Sequence, residues 1–284
     1  MIGQSEIKRI AATTGVALNV VEHDYALRCF LHMLASSERV RSSWAFKGGT
    51  ALAKCYFENY RFSEDLDFTI TQSISLPEIA SIVNASKARM QSEIGIATDV
   101  RDIVIDQIED EYGKESYEAK IYYRGLLQPE GSPRSIRVHV NRDEVIFFPK
   151  NQRVILHRYS DKEVLPKLTI PVYSLEEVLT EKLRAFSGQR RRAIARDVFD
   201  IYHIHKKVID QTRISEAFRA KCRVKGIELT EIGIEAVLKR REEFSVNWEN
   251  NLRYLIPDSL SVPFDEAWGS AVEILQRVVT QNAK

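Results

Sequence analysis

The chain has 284 residues, of which 44% are hydrophobic and 29% charged, with 41 Lys and Arg against 40 Asp and Glu. This is the profile of a globular chain able to bury a core in roughly one to three domains. It excludes a membrane span, because no run approaches about 18 apolar residues, and a disulfide scaffold or zinc knuckle, because Cys29, Cys55 and Cys222 are scattered without a C-x-x-C pair.

The first forty residues read as helical, with Val21, Tyr25, Phe30, Leu31 and Leu34 at mostly three-to-four spacing. Glu6, Lys8 and Arg9 interrupt any leader-like apolar stretch, so a cytoplasmic chain is expected. The short apolar stretch Trp44-Ala45-Phe46 meets Gly48-Gly49, and a helix is expected from Thr50 to Phe57 with Thr50 as its cap. Strand patterns follow at 65–70, 100–106, 117–123 and 136–140, and Pro129, Gly131 and Pro133 mark a hairpin loop before the last. From Pro171 onward the pattern is helical, with segments near 175–187, 194–205, 228–244 and 264–279. The expected architecture is α+β: residues 1–165 forming a mixed sheet with helices, and residues 166–284 forming a C-terminal helical domain.

Charge is unevenly placed. Seven acids against one lysine lie between Asp102 and Glu118, and six basic residues with no acid between Lys182 and Arg196. Either run can be a solvated face, and the basic one also suits local contact with a phosphate chain.

On a strand at 65–70, the period of two places Asp65, Asp67 and Thr69 on one face and Leu66, Phe68 and Ile70 on the other. Two carboxylates side by side repel, and a divalent cation between them relieves that repulsion. Upstream, Lys47-Gly48-Gly49-Thr50 makes a tight turn into a helix, whose free N–H groups suit an anion.

These residues resemble a family. Phe46-Lys47-Gly48-Gly49-Thr50-Ala51-Leu52 and Arg61-Phe62-Ser63-Glu64-Asp65-Leu66-Asp67-Phe68 look like the AbiEii/MenT nucleotidyltransferase toxins, a branch of the DNA polymerase β-like superfamily. The likeness continues through 175–185 and 195–202. It implies a toxin of a type IV toxin–antitoxin or phage-defence pair, with a cognate antitoxin. It also implies transfer of a nucleotide from an NTP, the tRNA acceptor end being the target of some members. Asp65 and Asp67 would then hold Mg²⁺ or Mn²⁺, and Lys47, Gly48, Gly49, Thr50, Ser63 and Lys182 would meet the nucleotide.

Lys182 also stands out by itself. Ser174 and Glu177 form a capping-box pattern, and Leu175, Val178, Leu179, Leu183 and Phe186 make an apolar arc with Lys182 near its centre. Its ammonium either snorkels to water or meets the phosphates of an NTP. Asp197 sits in the apolar arc of the next helix and needs a cation: Lys182, one of Arg190, Arg191 and Arg192, or Arg196 in a purely structural pair. Gly188 is expected to end the lysine helix, leaving the three arginines on a loop where they can hold RNA phosphates.

Polymerase β-like sites commonly carry a third acid on a later strand, whereas 136–141 offers Arg137, His139 and Asn141 on its polar face. His139 is either the general base or a structural donor. The reaction expected is transfer of NMP to an RNA acceptor, with a protein hydroxyl, a small molecule or a catalytically degenerate interaction module as alternatives.

Overall fold

A computed structural model of the chain describes residues 1–109, 115–127, 130–142, 144–189, 192–208, 211–224, 226–227 and 233–280. The chain divides into two compact units, one comprising Met1–Glu144, Lys150–Val172 and Leu255–Leu260, the other Val145–Pro149, Tyr173–Tyr254 and Ser261–Lys284.

The first unit begins with helices α1 (Gln4–Thr14), α2 (Leu18–Ala35) and α3 (Glu38–Ser43), followed by strand β1 (Trp44–Lys47) and the single helical turn α4 (Gly48–Ala51). Next come β2 (Asp65–Ile70), helix α5 (Leu76–Arg89), β3 (Val104–Glu109), β4 (Glu115–Tyr123), β5 (Arg134–Asn141), β6 (Asn151–Val154) and β7 (Thr169–Val172). Among the described residues these strands form one mixed sheet in the order β3-β4-β5-β2-β1-β7-β6. β2 runs antiparallel to β1 and parallel to β5, at the middle of the sheet. The core joins Trp44, Phe46, Leu66, Phe68, Val138 and Val140 to the buried side of α2, where Tyr25, Leu27, Phe30, Leu31 and Leu34 lie. Trp44 and Phe68 meet edge to face with centroids 5.2 Å apart.

The sequence expectation needs correction at several points in this unit. All four residues of β1 are buried, so it reads as an apolar run without the alternation that marks a half-exposed strand. The helix after it starts at Gly48, with Lys47 in the cap position and no side-chain cap, and it widens into a π-helical turn at Leu52–Tyr56. Thr50 therefore lies inside the helix. The short strands β6 and β7 were not expected: β6 is an exposed edge strand, and both are too brief to show a period.

The second unit holds α6 (Leu175–Arg184), α7 (Ala195–Ile204), α8 (Gln211–Val224), α9 (Ile234–Lys239), α10 (Arg241–Asn251) and α11 (Phe264–Thr280). Its core is an aromatic cluster in which Phe186, Phe244 and Trp268 meet with centroids 5.3–5.4 Å apart. Ser174 caps α6 through the Glu177 N–H at 3.2 Å, as the capping-box pattern suggests. The Glu177 carboxylate is engaged elsewhere, accepting from the N–H groups of Phe147 and Phe148 and pairing with Lys221 Nζ at 2.5 Å. Gly188 does not end the helix, because the chain continues as a π-helical turn over Ala185–Gln189. Arg190 and Arg191 lie outside the described residues, and Arg192 is exposed.

Candidate active site

The pairing register aligns a row of side chains across four strands: Lys47 on β1 opposite Asp67 on β2, Asp67 beside His139 on β5, and His139 opposite Glu118 on β4. Residues paired in this way point to the same face of a sheet, so the row alternates cation, anion, cation, anion. His139 Nδ1 lies 3.1 Å from Asp67 Oδ1, and its Nε2 lies 2.9 Å from Glu118 Oε2. Burial alone would lower the imidazole pKa. The hydrogen bond and charge of Asp67, the bond to Glu118 and the charge of Asp65 outweigh it, and the pKa is pushed up to about 9. His139 is thus an imidazolium that donates to two carboxylates. The role of base, one of the two the sequence leaves open for it, requires that it first yield this proton.

One strand step away, Asp65 stands beside Arg137, which is exposed. Asp65 and Asp67 are both half-buried, while Leu66 and Phe68 between and after them are fully buried on the core side. The Gly48 backbone is in the left-handed region, at φ 77°, and a β-carbon added there would fall 2.4 Å from Asp67 Oδ2. A β-carbon at Gly49 would fall 2.1 Å from Arg61 Nη2, the guanidinium of a fully buried arginine. Packing therefore requires glycine at both positions, and conformation favours it at Gly48 as well.

The remaining residues of the turn are held from within the protein. Lys47 Nζ pairs with Glu144, which also accepts from Thr69 Oγ1 at 2.7 Å. The Thr50 hydroxyl donates to the Asp65 carbonyl and shares a 2.7 Å hydrogen bond with the Ser63 hydroxyl. Ser63 is buried. Together these bonds fix where β2 begins, and so where Asp65 points.

In the second unit, Lys182 Nζ lies 2.6 Å from Asp197 Oδ1 and 3.1 Å from Asp200 Oδ2, and both carboxylates are buried. Asp197 thus has Lys182 as a partner. Asp200 was not anticipated, although its i+3 spacing from Asp197 places it on the same helix face. Glu118 and Glu144 were missed too. Glu118 follows the polar period of β4, but which strand lies beside β4 cannot be read from spacing.

Among the described residues no group of three or more His, Cys, Asp or Glu is arranged to hold a metal by itself. Two adjacent carboxylates nevertheless fit a hard cation that completes its shell with phosphate and water oxygens, as Mg²⁺ does. No described helix is long and apolar enough to cross a membrane.

No curated protein sequence matches the chain. The fold is similar to that of MenT4, a nucleotidyltransferase toxin from Mycobacterium tuberculosis, with 19% identity and a TM-score of 0.66 over 100% of this chain and 91% of that one. It is also similar to JHP933 from Helicobacter pylori, with 18% identity and a TM-score of 0.57 over 94% of each chain. The sequence profile of the nucleotidyl transferase AbiEii toxin family matches residues 30–272. Covering most of the chain and both carboxylates of β2, that match shows that the chain belongs to the AbiEii nucleotidyltransferase toxins of type IV toxin–antitoxin systems.

Proposed function

We propose that the chain transfers an NMP from an NTP to an RNA acceptor, the 3′ end of tRNA, with Mg²⁺ and release of pyrophosphate. The observation that carries this reading is the pair Asp65 and Asp67 on one face of β2, with the Gly48 turn packed directly against Asp67. The turn brings backbone up to the Asp67 carboxylate, leaving no side chain between them. Mg²⁺ at the pair would offset the charge of the phosphates and of the developing oxyanions. Asp65 and Asp67 would hold that cation, and the backbone of Gly48 and Gly49 approaches the triphosphate. Lys182, held by Asp197 and Asp200, is the cation assigned to the departing pyrophosphate. An acceptor hydroxyl attacks the α-phosphorus in line, and His139 takes its proton after giving up its own to solvent.

Arg192, with Arg190 and Arg191, is assigned to the RNA backbone. Replacing all three with Gln should weaken RNA binding and flatten its salt dependence while NTP affinity stays unchanged. Family membership also implies a partner antitoxin. The deciding experiment incubates the protein with each α-labelled NTP, Mg²⁺ and total cellular RNA and protein. Label retained at RNA 3′ ends is the expected result, and label in protein or a small molecule would replace the acceptor.

A further inference from the structure

A cavity of about 620 Å³ lies in the first unit, lined among others by Arg28, Lys54, His157, Arg158, Lys162 and Lys167. It shares no lining residue with the carboxylate site. Among the described residues that line it, Glu58 alone is acidic. We propose that this cavity is a second binding site, for a phosphate-bearing small molecule of mononucleotide size or smaller.

Arg28 is the strongest support. It is 1% exposed, and its Nε and Nη2 donate to the carbonyls of Leu156 and Ile155 at 2.7 and 3.4 Å. Its Nη1 is buried without a hydrogen-bond partner. A guanidinium satisfied only by two backbone carbonyls keeps its full charge and a spare donor.

Arg158 repeats the pattern. It rests on the Phe62 ring with its guanidinium carbon 4.9 Å from the centroid, and its Nη2 is buried without a partner. Buried donors of this kind are costly unless something accepts from them. His157 also lines the cavity, with its Nε2 held 2.8 Å from Asp161 Oδ1.

The charge balance points the same way. Lys54 is buried and pairs with Asp24 Oδ1 at 2.6 Å, and the other Asp24 oxygen accepts from Tyr159. Burial lowers the Lys54 pKa, Asp24 opposes this, and the neighbouring Arg158 and Arg28 push it down further, to about 8. Three cations thus face two carboxylates, Asp24 and Asp161, and the exposed Lys162 and Lys167 add two more. An anion with several oxygens meets the spare donors and relieves the repulsion at once, which favours phosphate over a single carboxylate. The volume falls in the range of small-ligand pockets, and the depth of Arg28 favours a free small molecule over a nucleic-acid strand.

The test is calorimetric titration of the full chain with inorganic phosphate, pyrophosphate and AMP, in EDTA so that no divalent cation loads the carboxylate pair. Saturable one-to-one binding of at least one probe is expected. Lys167→Gln, an exposed change that cannot disturb the core, and Arg158→Gln should each weaken it about tenfold, while Asp65→Asn binds like the parent. AMP binding more tightly than phosphate would identify a nucleotide site, and equal affinities a site for the phosphate alone. The proposal is overturned if no probe saturates in the millimolar range, if both cavity variants bind like the parent, or if Asp65→Asn abolishes binding.

Discussion

A β-carbon on Gly48 would sit 2.4 Å from Oδ2 of Asp67, so the glycine turn and strand β2 are fitted to each other through a single missing side chain. The Gly48 backbone is also left-handed, at φ 77°. Gly48→Ala should therefore lose about 1–2 kcal/mol from the backbone alone, plus the cost of displacing Asp67, and its transferase activity should fall. Combining it with Asp67→Ala should recover the steric part and leave the backbone part. A double-mutant cycle in urea checks this, and strict additivity would show that the turn and the carboxylate are independent.

Asp65→Ala and Asp67→Ala should each abolish transfer in the labelled-NTP assay and leave a cooperatively folded protein, because removing one of two neighbouring like charges relieves repulsion. Asp67→Ala has a second consequence. It removes the strongest influence raising the His139 pKa, so that pKa should fall from about 9. Histidine ring signals followed by NMR against pH would report the shift. An unmoved His139 would contradict the Asp67 contact, and an active variant with Mg²⁺ as the only metal would contradict the site.

The strand at Asp65–Ile70 was legible because a period of two with charged residues on one side is a local signal. Lys182 and Asp197 were legible for the same reason, each being a charge within an apolar helical arc. Their companions were not. Glu118 reaches the site only because β4 lies next to β5, and Glu144 only because it returns to Lys47 and Thr69 after β5 ends. Such pairings arise from tertiary register, which leaves no mark on spacing within a segment. Thr50 shows the opposite failure. A cap was inferred from its residue type, but its hydroxyl is bound to the Asp65 carbonyl and to Ser63 instead.

Lys182→Met looks harmless from the sequence, since an apolar residue would complete the helix arc. The structure reverses that expectation. Asp197 and Asp200 are buried on either side of the ammonium, and without it two carboxylates face each other with one cation fewer. The variant should lose about 3 kcal/mol of stability as well as activity. Adding Asp197→Asn and Asp200→Asn should restore much of the stability and none of the activity. Urea midpoints for the single and triple variants decide it, and a Met variant as stable as the parent would show that the two carboxylates are satisfied without Lys182.

His32 makes stability depend on pH. It is buried on α2, and its Nδ1 has no hydrogen-bond partner. Burial, then the charges of Arg28 and Arg89 and the nearby His157, against the opposing pull of Glu93, lower its pKa to about 4. The unfolded chain binds this proton near pH 6.5. Between those two values the unfolded state therefore holds more protons, so the contribution of neutral His32 is fully present above about pH 6.5 and is lost as the pH falls toward 4. The span corresponds to about 3 kcal/mol. His32→Leu should flatten the stability profile by that amount across the window, measured as unfolding free energy in urea at successive pH values. A variant with the same slope as the parent would place the acid sensitivity on another group.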